Sequence, residues 1–240
     1  MKKLEILFND NYFKSDEIIH GRVVRKFLDA LIEKVFKKAH RYWQVHKDLT
    51  DCGELPLLYN ERNLYSIFAS AICEITPVHL SEWTFNKNDS GIDTRRVDFW
   101  CLNKNGGNGK AINYFIEVKK IWYCLSKGNQ EEFATVVKKN VKQIAEQITT
   151  LKKVRPNWDG DGDVYLGIVV THAYYSAKKE PEYDEEQILE NIHHLLDKRS
   201  KAQVLFATWT LPDDIDVQWE SDRCKSVSIA GIAITKSRKK

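Results

Sequence analysis

Three charged residues stand where charge is least expected. Asp98, Glu117 and Lys119 lie within RRVDFWCLNKNGGNGKAINYFIEVKKIW, a stretch otherwise rich in Val, Phe, Trp, Ile and Tyr. Side chains alternate between the two faces of a strand, so Glu117 and Lys119, two residues apart, point to the same side. Two alternating runs, Arg95–Asn103 and Ala111–Trp122, are joined by the turn-forming GGNG of Gly106–Gly109, which reads as a hairpin. With the hinge placed between Gly107 and Asn108, Asp98 falls opposite Glu117. Two carboxylates brought together on buried strands repel and lose hydration unless a cation sits between them. Oxygen ligands suit magnesium or manganese, which keep water and substrate phosphate in their remaining positions. Lys119 would hold or help deprotonate a bound water and neutralise charge on a scissile phosphate.

The elements that must position these groups follow from periodicity. Ile19, Val23, Phe27, Leu31 and Val35 recur every four residues, which predicts a long amphipathic helix from a cap at Asp16 to about His46. Its other face carries Arg22, Lys26, Lys34, Lys37, Lys38 and Arg41, followed by Trp43; this is either a solvated face or a track for a nucleic-acid backbone. Gly53 and Pro56 break the pattern. A second helix is expected from a cap at Asn60, with Leu64, Ile67, Phe68, Ala71, Ile72 and Ile75 on one stripe, until Pro77. A strand over His79–Asn86 precedes a loop in which Asp89 and Asp93 read as turn caps.

After the hairpin, Phe133, Val137, Val141, Ile144, Ile148 and Leu151 predict another helix, with Gln143 and Gln147 beside its stripe as ordinary exposed glutamines. The turn DGDGD lacks the glycine and glutamate of a calcium loop, since Val164 and Val170 occupy those places. Val164–Tyr174 is apolar on both faces and reads as a central strand. A helix over Asp184–Lys198, carrying His193 and His194 without a companion at ligand spacing, is followed by strands over Gln203–Leu211, Val217–Glu220 and Ser226–Thr235.

At Asp98 and at Glu117-Val118-Lys119 the chain resembles the PD-(D/E)XK nuclease superfamily, with Val97 where the name-giving proline would stand. The middle of the chain, from Asn60 to Tyr174, runs helix, strand, strand, strand, helix, strand, the core order of that family. Read alone, an E-x-K tripeptide is more often an exposed edge-strand ion pair, and it is the order of elements that favours the resemblance.

The resemblance implies an α/β fold with a restriction-endonuclease-like core, a central mixed sheet flanked by helices; the extra long N-terminal helix comes from periodicity and is not explained by the resemblance. It implies a metal-dependent endonuclease hydrolysing phosphodiester bonds, usually in DNA. Asp98 and Glu117 would bind Mg2+ or Mn2+, with the carbonyl of Val118 a further ligand. Glu61, on the helix before the first strand, would complete the site or else simply complement its own helix dipole. Arg95, Arg96 and Lys120 are candidates for phosphate contacts. In one branch of the superfamily a glutamine near position 143 opens a Q-x-x-x-Y motif, but here the last residue is Gln147.

The 240 residues, 42% of them hydrophobic, suffice for one domain. We divide it into a helical extension over 1–59, the core over 60–174, and a helix and strands over 175–240 completing the sheet. Five scattered cysteines without zinc spacing read as reduced thiols, and no apolar run reaches membrane-spanning length. A soluble, cytoplasmic protein without a small-molecule cofactor is expected, with DNA as partner and a homodimer compatible with the fold. The net charge of +3 leaves two other classes open, a nucleic-acid-binding module and a protein-interaction module that retain the fold without turnover. In the latter, the basic helix and Trp43 would meet the partner.

Overall fold

A computed structural model of the chain describes residues 2–3, 12–14, 22–86, 94–104, 109–124, 130–153, 161–176, 203–211, 215, 218–219 and 222–234. Three helices and nine strands fall among them: β1 (Lys2–Lys3), β2 (Tyr12–Lys14), α1 (Arg22–Thr50), α2 (Glu61–Ile75), β3 (His79–Asn86), β4 (Thr94–Lys104), β5 (Ala111–Cys124), α3 (Gln130–Lys153), β6 (Gly162–Ser176), β7 (Gln203–Thr210), β8 (Gln218–Trp219) and β9 (Asp222–Ile234). A single turn of 3-10 helix, Pro56–Leu58, links α1 to α2. The expected cap Asp16, the loop residues Asp89 and Asp93, and the expected helix with His193 and His194 lie outside the described residues.

The strands form one mixed sheet in the order β1-β2-β7-β9-β6-β5-β4-β3, with β8 on β9. The β5–β6 pair is parallel and every other pair antiparallel. β6, in the middle, is paired on both sides along its length, which fits its run of apolar residues on both faces.

Helices cover both faces. The apolar ridge of α1 (Leu28, Leu31, Ile32, Val35, Phe36, Ala39) and that of α2 (Leu64, Phe68, Ala71, Ile72) are buried in one cluster with Phe99, Tyr114, Ile116, Val118, Leu166, Ile168 and Val170 of the sheet. Phe27 stacks on Tyr114, with ring centres 3.9 Å apart. Trp43 belongs to this core, which corrects its expected role as a partner contact: the ring packs so closely beside Gly53 that an added Cβ would strike it. On the other face α3 lies tight against β6 at Gly167, where a Cβ would sit 2.5 Å from Ile144.

The basic face of α1 is partly spent on neighbours. Lys34 and Lys38 both pair with Glu74 of α2, and Lys37 with Glu33. None of the described helices is long and apolar enough to cross a membrane.

β3 forms one end of the sheet. Glu82 interrupts it: its φ of 48° is rare for a residue with a side chain, and the β3–β4 register passes from Ser81↔Phe99 to Trp83↔Val97 around it.

The packing of α2 against the sheet is the joint on which the rest of the helical layer bears. Replacing the fully buried Phe68 by Ala should cost about 3–5 kcal/mol, the usual range for a buried aromatic truncated to leave a cavity. Urea unfolding monitored by circular dichroism should show this as a lower midpoint at unchanged slope.

Candidate active site

The ladder between β4 and β5 runs from Lys104↔Ala111 to Phe99↔Ile116 and stops there, although both strands continue. Beyond that point β4 is held by β3 as far as Thr94↔Asn86, and β5 is held by β6 as far as Cys124↔Tyr174. The sheet is therefore slit between its fourth and fifth strands, and Asp98 and Glu117 stand at the closed end of the slit. The pairing of Phe99 with Ile116 carries the register expected from the loop midpoint, so Asp98 is level with Glu117.

The closed end is pinned by side chains. The backbone N–H of Val118 donates to Asp98 Oδ2 at 2.7 Å, in place of a strand-to-strand bond. Tyr65 donates its hydroxyl to Asp98 Oδ1 at 2.5 Å, with Glu61 Oε1 3.4 Å away. Both residues come from the start of α2, where the Asn60 side chain caps the helix by accepting from the Asn63 N–H at 3.1 Å. Glu61 and Tyr65 are four apart, hence neighbours on one helix face. The Tyr65 ring meets Phe99 edge-on. Glu61 is thus the first-turn acid of α2 and also stands beside Tyr65 and Lys119.

Lys119 gathers the remaining charges. Its ammonium lies 2.9 Å from Glu117 Oε1 and 3.3 Å from Glu61 Oε1, and donates to the Val118 carbonyl at 3.2 Å. Glu117 is 1% exposed and Asp98 8%. Glu117 Oε2 is buried with no hydrogen-bond partner. From the opposite face the amide of Gln147 on α3 favours the charged form of Glu117. Gly167, the β6 partner of Glu117, leaves bare backbone on that face, against which Ile144, one turn from Gln147 on α3, packs closely.

These surroundings shift the acids and the lysine in opposing ways. Burial, reinforced by the charge of Asp98, pushes Glu117 up to about 7, against the pull of Lys119 and Gln147. Burial likewise raises Asp98, opposed by the Tyr65 and Val118 hydrogen bonds and by Lys119. Burial alone would lower Lys119, but the charges of Glu117, Asp98 and Glu61 outweigh it and hold the amine above its ordinary range. Lys119 is accordingly an ammonium, able to neutralise and orient rather than to take a proton.

Among the described residues no group of three or more His, Cys, Asp or Glu side chains is arranged to hold a metal ion. Magnesium asks for less, since one or two carboxylates with water complete its shell. Asp98, Glu117 and the Val118 carbonyl supply hard oxygens, and the partnerless Glu117 Oε2 is an acceptor that a cation would satisfy.

Other sequence-expected residues fall apart from this cluster. Arg96 is exposed, 3.5 Å from Glu82. Arg95 lies on β4, its side chain outside what the structure describes. Lys120 is half-buried and donates to the Leu58 carbonyl at 2.7 Å, so its ammonium is committed to the turn before α2, not to a phosphate. Gln143 is exposed, whereas Gln147, read from sequence as an exposed glutamine, is half-buried at the site. Tyr65 was not foreseen; its spacing from Glu61 was the available signal.

The raised pKa of Glu117 sets a pH dependence of stability. Its folded value of about 7 lies above the ordinary 4.5, so its contribution is fully present below about 4.5 and is lost as pH rises through about 7. The metal-free protein should lose stability between about pH 5 and about pH 8, and Glu117→Gln should flatten that decline. Denaturation midpoints across this range decide it; parallel curves for the two proteins would contradict the assignment.

Compared with protein-family models, curated proteins and solved structures, the chain finds no match, so what the site does is read from its own geometry.

Proposed function

We propose that the chain is a magnesium- or manganese-dependent endonuclease that hydrolyses phosphodiester bonds in DNA, built on a restriction-endonuclease-like core. The order α2-β3-β4-β5-α3-β6 supports the core, with the acid on its second strand and the E-x-K on its third. The observation that carries the chemistry is the partnerless oxygen of Glu117, buried beside Asp98 and the Val118 carbonyl where the sheet parts.

Asp98, Glu117 and the Val118 carbonyl would hold the ion. Bound there, it would acidify a coordinated water and offset charge on the phosphate. Lys119 orients the attacking water and neutralises charge that builds on the scissile phosphate. Glu61 steadies the ammonium of Lys119, Tyr65 fixes the rotamer of Asp98, and Gln147 steadies Glu117. Arg96, on β4 beyond the end of the β4–β5 ladder, would leave its exposed pairing with Glu82 to meet the backbone of the substrate. Lys120 is withdrawn from that role.

One feature favours a second reading. Lys119 already bridges Glu117 and Glu61, so the acids are neutralised by the protein's own cation. A nucleic-acid-binding or protein-interaction module without turnover would need no more than this. Calorimetry with manganese separates the two: heat of binding that disappears in Asp98→Asn supports the hydrolase, and no heat in the wild type supports the module.

With magnesium, the wild type should nick supercoiled plasmid or cut single-stranded DNA. Lys119→Ala should lower the rate by roughly 10² or more, the usual cost of removing a group that stabilises developing charge. Melting curves should show the variant folded. Undiminished cleavage by folded Lys119→Ala would remove this site from the reaction.

A further inference from the structure

The carboxyl end of β5 holds a group of side chains that hydrolysis leaves unused. Alternation along the strand sends Lys120 and Trp122 to the face opposite Glu117 and Lys119. The Lys120 ammonium lies 4.2 Å from the centre of the Trp122 ring. On β6, His172 pairs in register with Trp122 and lies 5.1 Å from it, and Tyr174 meets the indole edge-on at 5.7 Å. His172 is fully buried, and burial holds its imidazole neutral. The indole is thus fixed by a cation and two rings.

Even so, Trp122 is 45% exposed, whereas Trp43, Trp100 and Trp209 are 5%, 7% and 0% exposed. An indole held in place but left open to water offers a flat π surface at no further ordering cost. Its location narrows what would cover it. Trp122 lies three residues beyond Lys119, ~10 Å along the strand, and the described part of β4 has ended at that level. Stacked DNA advances ~3.4 Å per nucleotide on one strand, so along the strand the ring stands about three nucleotides from a phosphate held at Lys119, on the other face of β5 and reached past the end of the β4–β5 ladder. A cationic ligand would be repelled by Lys120, which already faces the ring. A base inside a duplex is stacked on both sides and has no face to give, so the base that fits must be unpaired.

We propose that Trp122 is a stacking platform for an unpaired nucleobase about three nucleotides from the scissile phosphate, and that the substrate class of the site is single-stranded or locally melted nucleic acid. Lys120, braced on the Leu58 carbonyl, supports the platform from within and couples it to the turn that leads to Glu61. The proposal rests on the hydrolytic reading for its substrate, but the platform can be tested apart from cleavage.

The test measures binding of a fluorescein-labelled oligothymidylate and of a labelled duplex by anisotropy, in EDTA and over a range of salt. Trp122→Ala should weaken binding of the single strand roughly tenfold, the order of one lost base–aromatic stack, and leave duplex binding nearly unchanged. The salt dependence should keep its slope, because no charge is removed. Trp122→Phe should recover most of the affinity. If Trp122→Ala does not fold, Trp122→Leu, which fills space without a π face, takes its place.

The platform is overturned if the wild type does not bind the oligothymidylate, if both ligands weaken alike, if neither weakens, or if Phe is no better than Ala. In magnesium, the wild type should cut the single strand faster than the duplex, and Trp122→Ala should lose that preference. A wild type that binds as described but cuts neither substrate sinks the hydrolytic reading and leaves the platform standing.

Discussion

Two carboxylates buried at one opening of a sheet repel each other, and the surroundings of Asp98 and Glu117 are arranged to bear that repulsion. Each acid is served by different elements. Asp98 is bonded by a hydroxyl from α2 and an amide from β5, while Glu117 is met by an ammonium from its own strand and an amide from α3. The cost of the burial is visible in the upward shifts of both acids. A fold selected only for stability would replace such a pair with apolar residues, which pack at less expense. Keeping it makes sense where the unspent acceptor on Glu117 has work to do.

The slit itself follows from the same pair. Antiparallel strands continue to zip while their amides and carbonyls find one another, and the Asp98 carboxylate ends this by taking the Val118 amide. Past that bond each strand is committed to its outer neighbour, so the opening needs no loop to hold it apart. Gly167 extends the arrangement to the far face, where an added Cβ would strike the Ile144 side chain of α3.

Much of this was legible in the sequence because it depends on local spacing. The register of Asp98 with Glu117 follows from loop symmetry, and the extents of α2, β3 and β5 follow from a cap, a proline and alternation. What was not legible depends on tertiary approach. Trp43 is itself on the legible side, since the every-four stripe continues from Val35 through Ala39 to it; what the spacing does not show is that the ring packs against Gly53. Lys120 read as a phosphate contact because the carbonyl it serves, Leu58, is 62 residues away in sequence. Gln147 read as exposed because α3 meets the sheet through Ile144 at a glycine on another strand. The slit, too, is an absence of pairing, and strand periodicity has no signature for where two strands part.

A last consequence concerns the rim at β3. A straight terminal strand offers a row of free amides and carbonyls on which another molecule can add its own strand, and Leu80, with Val78 just before it, would welcome such an addition. The positive φ at Glu82 turns one residue out of that row, with the register to β4 the same on either side. A strand added from outside would therefore meet an edge broken at one residue rather than a continuous template.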